Sequence, residues 1–298
     1  APVLGLRSEA RAIVVVADDE TFARIALHGD ERVCLTNLRA PGERDVLRGY
    51  PVAPRVGESV DHPEHIGAWT SHGSIDGHDL WSGDGGVFAT AHSLRLARDG
   101  AAIVKARIEW RDAERAVLLS ENRTYTFRAT NERRIVDVEH VLAANGGGLV
   151  IGDSAFGFFA LRLADAFQIR GADASARSFS SMGARGSELW GEPARWVAGV
   201  AGVIGADGMP ARVTVCVLDH PDNLHHPPRW NARRHGLIAA NPFGRVGFGG
   251  DPENPATVLL DAYETLALQY RVLVVPGELA YGEIDELWTD YATSSAPL

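Results

Sequence analysis

The chain has 298 residues, and its 39 acidic against 29 basic residues give a formal net charge of −10. An acidic chain disfavours nucleic acid and anionic membranes as partners, and no apolar run approaches the roughly 20 residues that cross a bilayer. The first residues lack the basic and apolar regions of a signal peptide, so we expect a cytoplasmic protein that binds a small molecule. Nothing in the sequence indicates an oligomeric state.

Short apolar runs separated by turn-forming residues predict about a dozen β-strands. We place them at residues 12–16, 22–27, 32–38, 87–96, 103–110, 117–128, 134–142, 149–153, 156–163, 194–204, 211–218, 237–244, 257–260 and 262–275. One helix is predicted over residues 278–291, where apolar side chains follow helical spacing. The pattern predicts an all-β, antiparallel β-sandwich with one C-terminal helix. We expect a single domain over residues 1–298, with residues 292–298 as a flexible tail.

The segment from Val60 to Trp81 is rich in titratable groups and has neither the helical nor the strand period. We interpret it as a loop, and loops on a rigid scaffold often carry the chemistry of a protein. Imidazoles are suited to proton transfer near neutral pH. The candidate acid–base residues here are His62, His65 and His72, and the candidate substrate-binding residues are Glu64, Trp69, Asp79 and Trp81.

A second histidine-rich loop repeats the tripeptide Asp61-His-Pro63 as Asp219-His-Pro221. Proline holds the preceding histidine at a rigid corner, so His62 and His220 are expected to converge on one pocket. The alternative is that Asp-His-Pro is only a favourable turn. A divalent metal held by His62, His65 and His220 is a further alternative, and His226 in the second loop is a candidate substrate-binding residue.

Three other features concern carboxylates and aromatic side chains. Glu121 and Arg123 share one face of the predicted strand 117–128, either as a solvated ion pair or in a binding groove on the sheet. Asp153 ends the strand 149–153 beside the candidate loops. Trp190 is either a sugar-stacking platform or a core residue.

Cys34 and Cys216 lie in apolar strands and are expected to be buried thiols.

Several of these segments together resemble a bacterial family labelled PmoA-like. The resemblance rests on Asp61-His-Pro-x-His65, Glu121-x-Arg123, Asp219-His-Pro-x-Asn223 and Gly236-Leu-x-Ala-Ala-Asn-Pro-Phe-Gly244. It implies a β-sandwich of the supersandwich kind, similar to galactose-mutarotase-like proteins, and a place in bacterial sugar catabolism. Methane oxygenation is not expected, because no segment could span a bilayer. The family's usual His-Pro-His-His-Arg is His62-Pro-Glu-His-Ile66 here.

The leading hypothesis is a carbohydrate-active enzyme that cleaves or modifies a glycoside, including an oxidised keto-glycoside, by acid–base or metal-assisted chemistry. A sugar epimerase, a sugar-binding protein without chemistry and a redox metalloenzyme are the alternatives. The candidate catalytic residues are His62, His65, His72, Glu121, Asp153 and His220. The candidate substrate-binding residues are Glu64, Trp69, Asp79, Trp81, Arg123, Trp190, His226 and Asn241.

Glu64 and Ile66 differ from the residues usual in the family, and these two differences lead to a further expectation about the substrate. A carboxylate between two imidazoles favours their protonated forms, so Glu64 is expected to raise the pKa of its histidine neighbours, or to serve as an oxygen ligand if a divalent cation is bound. Loss of the family's arginine at Ile66 removes a compensating positive charge. A neutral sugar is therefore expected to bind in preference to an anionic one.

Overall fold

The computed structural model describes residues 1–27, 32–83, 85–171 and 175–294. Its elements in chain order are β1 Leu4–Ser8, β2 Ile13–Ala17, β3 Glu20–Ala26, β4 Cys34–Ala40, β5 Arg44–Asp45, β6 Ala68–His72, β7 Gly86–Leu96, β8 Ala102–Arg111, β9 Val117–Ala129, β10 Arg134–Ala144, β11 Leu149–Ile151, β12 Gly157–Arg162, β13 Arg177–Ser180, β14 Trp196–Ile204, β15 Pro210–Asp219, β16 Arg229–Arg233, β17 Leu237–Asn241, β18 Val258–Leu260, β19 Thr265–Pro276 and α1 Tyr281–Thr293. Short 3₁₀ helices cover Asp165–Phe167, Gly186–Leu189 and Val246–Phe248.

Two large antiparallel sheets form a sandwich, as the sequence predicted. The nine-stranded sheet has the order β1, β2, β3, β4, β6, β12, β17, β16, with β5 paired to β4. The eight-stranded sheet has the order β13, β14, β15, β19, β10, β9, β8, β7. Strands β11 and β18 form a separate pair.

The core lies between the two large sheets. Strand β10 alternates buried and half-buried residues along its whole length, so Val136, Val138 and Leu142 point inward. Phe127 of the eight-stranded sheet and Phe22 of the nine-stranded sheet meet there edge to face, with ring centroids 5.5 Å apart. The outer side of each sheet is left for other contacts, because successive side chains on a strand point to opposite faces.

Helix α1 packs on the outer side of the eight-stranded sheet through Ile284 and Tyr291. It begins three residues later than predicted, because the side chain of Glu283 accepts the backbone N–H of Ala280, 2.6 Å away, and fixes the start there. It runs to Thr293, so the first residues of the predicted tail are helical. Residues 295–298 of that tail lie outside the described residues.

The sequence missed several strands, and β6 matters most because it lies inside the predicted histidine loop. All five β6 residues are buried, since the strand is covered on both faces, so it lacks the alternation that reveals a strand. Strands β1, β5, β13 and β16 were missed as well. Both cysteines are buried thiols, as predicted. No helix among the described residues has the length and apolarity to cross a membrane.

Candidate functional site

Three imidazoles meet on the outer side of the nine-stranded sheet, and we call them the histidine cluster: His62, His65 and His235. His62 and His65 precede β6, whereas His235 lies in the turn between β16 and β17. The ring of His62 stacks on His65 with centroids 4.7 Å apart and on His235 with centroids 4.6 Å apart. Gly236 makes this possible, because its φ of +92° allows a tight turn and its carbonyl accepts the N–H of Leu163 beside β12.

Two fully buried arginines lie beneath the cluster and share one carboxylate. Nη1 of Arg48 donates to Oδ1 of Asp61 over 2.5 Å, and Nη2 of Arg162 donates to the same oxygen over 2.6 Å. Partial burial would raise the pKa of Asp61, but Arg162 and Arg48 together lower it to about 2. Asp61 is therefore ionised at neutral pH and holds the two guanidinium groups in place.

His65 and His235 are kept neutral by this environment. Nη1 of Arg162 lies 3.1 Å from Nδ1 of His65 and donates to it. Burial and the charge of Arg162 lower the pKa of His65 to about 2 and that of His235 to about 4. Oε1 of Glu64 lies 3.7 Å from Nε2 of His65, so Glu64 borders the histidine cluster, although the pocket of His62 and His220 that it was expected to face does not form. Its expected effect on His65 is wrong, because burial and the arginines outweigh the carboxylate.

His62 is the exposed member of the histidine cluster. Its side chain is 43% exposed, and its Nδ1 lies 3.5 Å from Oδ1 of Asp61. The backbone of His62 has a left-handed φ of +46°, and Nη2 of Arg48 donates to its carbonyl over 2.9 Å. A strained residue held by a buried arginine presents its side chain in a fixed direction. His62 therefore presents an exposed imidazole beside the Asp61 carboxylate, and an imidazole is a group that can accept and return a proton.

Trp69 and Trp81 lie behind the cluster rather than at its surface. Their exposed fractions are 3% and 2%, and their ring centroids are 5.0 Å apart. Trp69 stacks on His65 at 5.3 Å. Their predicted role in binding substrate is corrected, because buried indoles can only support the imidazole ring.

A cavity of about 560 Å³ opens beside His235, and we call it the arginine cavity. Its lining includes Gln168, Arg170, Ser187, Trp190, Arg233, Arg234 and His235. The guanidinium carbon of Arg233 lies 3.3 Å from the ring centroid of Trp190, and Phe248 contacts the same indole edge to face. Trp190 is thus neither pure core nor a free stacking platform, since Arg233 covers its face.

A divalent metal does not fit the histidine cluster. The three rings offer nitrogen atoms within 4.8 Å of one another, and Nε2 of His235 is buried without a partner. However, Arg162 donates to Nδ1 of His65, so the proton of the neutral ring sits on Nε2 and blocks the lone pair a metal needs. The rings of His62 and His65 are parallel within 9°, whereas an ion lies in the plane of each imidazole that binds it. Two adjacent buried guanidinium groups add repulsion.

His220 does not join the histidine cluster, so the expected pocket of His62 and His220 and the predicted metal set are wrong. It follows β15, and its ring contacts Tyr291 of α1 at 5.0 Å on the other sheet. The adjacent Asp219 is buried and lies 2.6 Å from Nδ1 of His226, which stacks on Trp288. Burial raises the pKa of Asp219 to about 6, although His226 and Asn223 bond to it. This second loop fastens α1 to the sheet.

Glu121 and Arg123 point into the core. The solvated ion pair and the binding groove, the two positions predicted for them, are therefore both wrong. Nε and Nη2 of Arg123 donate to the two oxygens of Glu121 over 2.6 and 2.7 Å. Nε1 of Trp110 and Nδ1 of His140 contact the same carboxylate at 2.7 and 2.8 Å. We call these four residues the core charge network. Burial would raise the pKa of Glu121, but Arg123 and His140 lower it well below the usual range.

The remaining candidates hold loops together, and their predicted chemical roles are corrected. Nε2 of the buried His72 lies 2.7 Å from the carbonyl oxygen of Gly152 and donates to it. The side chain of Asn241 is likewise buried and bonds to Ser154 and Phe243. Asp79 accepts the N–H groups of Trp81 and Ser82 in an exposed turn. Asp153 accepts four backbone N–H groups, those of Arg245, Val246, Gly247 and Ala256.

Three residues of the site were missed by sequence reasoning: Arg48, Arg162 and His235. Arg162 ends an apolar strand, where a buried charge is a signal of a specific partner. His235 closes the run Arg233-Arg234-His235 directly before Gly236, a turn signal that could have marked it.

Comparison with known proteins places the whole candidate site within one family. Residues 12–289 match DUF6807, which is described as a family of unknown function. The chain belongs to DUF6807. The matching family carries no methane-oxygenase label. The comparison therefore supports membership of a family of unknown function and does not support the name PmoA-like. No curated protein matches this DUF6807 member.

Two solved structures are similar to this DUF6807 member at low identity. One is the Slr1438 protein from Synechocystis sp. PCC 6803, with a TM-score of 0.41, 10% identity, and coverage of 93% of this chain and 97% of that one. The other is the polysaccharide lyase BACCELL_00875, with a TM-score of 0.32, 11% identity, and coverage of 93% of this chain and 33% of that one. At these scores we transfer neither fold nor activity from either protein.

Proposed function

We propose that this DUF6807 member is an enzyme that acts on a carbohydrate, cleaving or modifying a glycoside by proton transfer at His62. The observation that carries the proposal is an exposed imidazole beside an ionised carboxylate, next to a cavity large enough for a ligand. His235 connects the two parts, since it stacks on His62 and also lines the arginine cavity.

Asp61 and His62 would act as a pair. Nε2 of His62 accepts a proton from the acidic C–H bond next to the carbonyl of a keto-glycoside, and the ionised Asp61, 3.5 Å from Nδ1, stabilises the positive charge that the ring then carries. The electron pair of the C–H bond forms a C=C bond as the C–O bond to the leaving group breaks, and the same nitrogen returns the proton to the leaving oxygen. His65 and His235 stay neutral and position the His62 ring by stacking, while Arg48 fixes its backbone.

The lining of the arginine cavity favours a hydroxylated substrate over an apolar one. Gln168, Ser187 and His235 supply hydrogen-bonding groups, with aliphatic and aromatic contact around them. Its volume of about 560 Å³ falls within the range of about 300 to 1,000 Å³ that small-molecule sites occupy. A mono- or disaccharide unit suits such a site.

The test is a screen of glycosides and their keto forms with mass-spectrometric detection of products, followed by His62→Gln. We expect turnover to fall by about 100-fold or more, because a general acid–base group typically contributes 10² to 10⁴. Substrate affinity should change little, since the cavity lining is intact. His78→Gln is the matched control, because His78 is an exposed histidine of the same segment outside the histidine cluster.

Three outcomes would redirect the proposal. Unchanged turnover in His62→Gln would remove His62 from the chemistry. Binding without turnover in the wild-type protein would indicate a sugar-binding protein. A product that differs from the substrate only in stereochemistry would indicate an epimerase.

A further inference from the structure

We infer that the arginine cavity recognises an acidic group, so that the carbohydrate acted on carries a carboxylate or a sulfate. This inference rests on the proposed function for its sugar component and on the charges of the cavity for its acidic component. It names a substrate class opposite to the neutral sugar expected from Glu64 and Ile66.

Three arginines border the cavity, and none has a carboxylate partner among the described residues. Arg170 donates through Nε and Nη2 to the side-chain oxygen of Gln168 over 3.0 and 2.6 Å. Arg234 makes one long contact, 3.3 Å, to the carbonyl of Gly171. Arg233 lies flat on Trp190. The described part of the lining contains no acidic side chain. In a chain of net charge −10, such a concentration of positive charge without a carboxylate partner in the described part of the chain is unexpected for a merely solvated surface.

The neutral state of the histidines agrees with this charge pattern. Burial and the charges of Arg162 and Arg233 are among the causes that disfavour protonation of His235, so the imidazole stays neutral beside the guanidinium groups. Two acids of the neighbouring segments are already bonded: Asp61 to the two buried arginines, and Asp165 to Ser59 and Gln168. The guanidinium groups that border the cavity therefore keep their capacity to bind an external anion, in the planar, two-pronged geometry that suits carboxylate and sulfate oxygens.

A second cavity of about 520 Å³ continues the first one toward the start of α1. The two share Ile169, Ser187 and Arg234, and the second adds Arg177 and Arg185. Glu278, the one acid in the described lining of this second cavity, pairs with both Arg177 and Arg212. Positive charge thus extends along the groove, which suits an oligosaccharide with repeated acidic groups better than a single charged sugar.

The experiment is isothermal titration of the full chain with three probes: trigalacturonate, galactotriose and galactose 6-sulfate. We expect trigalacturonate or the sulfated sugar to bind at least 10-fold more tightly than galactotriose, and affinity to fall as salt rises. Arg234→Ala should weaken binding of the acidic probe by roughly 10- to 100-fold, the value typical of a charged hydrogen bond. Arg234→Lys should retain part of the affinity, because it keeps the charge and loses the fork.

Arg95→Ala is the matched control. It removes the same charge from a separate cavity on the eight-stranded sheet, which Arg95 lines with Lys105 and Arg128. Equal loss in Arg95→Ala, or equal affinity for galactotriose and both acidic probes, would overturn the inference. Tighter binding of one acidic probe identifies the group as carboxylate or sulfate. If the proposed function fails and the inference holds, the result is different. The wild-type protein then binds the acidic probe without any turnover, and His62→Gln binds it equally well.

Discussion

Glu121 is the residue on which the interior of the sandwich depends most. Its carboxylate takes part in four hydrogen bonds, two with Arg123 and one each with Trp110 and His140. All four residues are buried, so each charge has no water to replace a lost partner. The core charge network is therefore costly to break, even though a well-packed apolar substitute could be equally stable.

We predict that Glu121→Gln lowers the free energy of unfolding by about 3 to 5 kcal/mol, because it leaves the Arg123 charge buried and unpaired. Urea unfolding followed by circular dichroism measures the change. Glu109→Gln is the control, since Glu109 pairs with Arg111 on the partly exposed side of β8 and should cost below about 1 kcal/mol. Similar losses in both variants would show that the network is not specially stabilising.

Helix α1 is the element that closes the outer side of the eight-stranded sheet. Ile284 and Tyr291 pack on Trp196, Leu218 and Leu273, while Nε1 of Trp288 donates to the carbonyl of Asp219. The helix thus covers the start of β14, the end of β15 and the neighbouring part of β19, and it also fixes the second histidine-rich loop. This explains why that loop is structural.

We predict that Ile284→Ala lowers the free energy of unfolding by about 2 to 4 kcal/mol, the usual range for removing a fully buried aliphatic side chain. Thermal and urea unfolding both report it. Glu286→Ala, at an exposed position of the same helix, should change stability by less than about 0.5 kcal/mol. Alanine is the best helix former, so helix propensity predicts no loss in the control, and a loss as large as in Ile284→Ala would contradict the assignment of the effect to packing by Ile284.

The alternation of apolar and polar residues along the strands predicted the sandwich, but it could not show which face of each strand lies in the interior. In β9, period two correctly groups Glu121, Arg123 and Tyr125 on one side. Only the partners on β8 and β10 reveal that this side is the interior, and those partners come from other parts of the sequence. The same limit hid His235, which reaches His62 because β17 pairs with β12 next to β6. The repeated Asp-His-Pro tripeptide was misleading, since one copy borders the cluster and the other anchors a helix.

Across the whole molecule, buried neutral histidines make stability depend on pH. Burial lowers the pKa of His72 to about 4, and it also lowers that of His140. The unfolded chain binds protons at these positions below about pH 6.5, whereas the folded chain does not until lower pH. The stability that the neutral histidines contribute to the folded chain is therefore fully present above about pH 6.5 and is lost as pH falls. Asp219 has the opposite effect, because its raised pKa of about 6 lets the folded chain bind a proton at a higher pH than the unfolded chain does. Below that pH it offsets part of the loss of stability that the histidines cause.

We predict that the free energy of unfolding falls between about pH 7.5 and about pH 4.5, with His72 alone contributing on the order of 3 kcal/mol, since one pKa unit is about 1.4 kcal/mol. His72→Asn keeps a donor for the Gly152 carbonyl and removes the titration, so its stability should vary less with pH. Urea unfolding at several pH values measures both slopes. The exposed His78→Asn should follow the wild-type slope, and a parallel slope in His72→Asn would contradict the assignment.

Lys105 is the only lysine among the 298 residues, and its side chain projects from β8 into the cavity on the eight-stranded sheet. The histidine cluster lies on the opposite sheet. With the α-amine of the polypeptide blocked, amine-reactive coupling through this side chain would attach the protein to a sensor surface in one orientation, with the arginine cavity facing the solution. A fluorophore placed there would leave every arginine of that cavity unmodified, so immobilised and labelled protein should bind ligands as the free chain does.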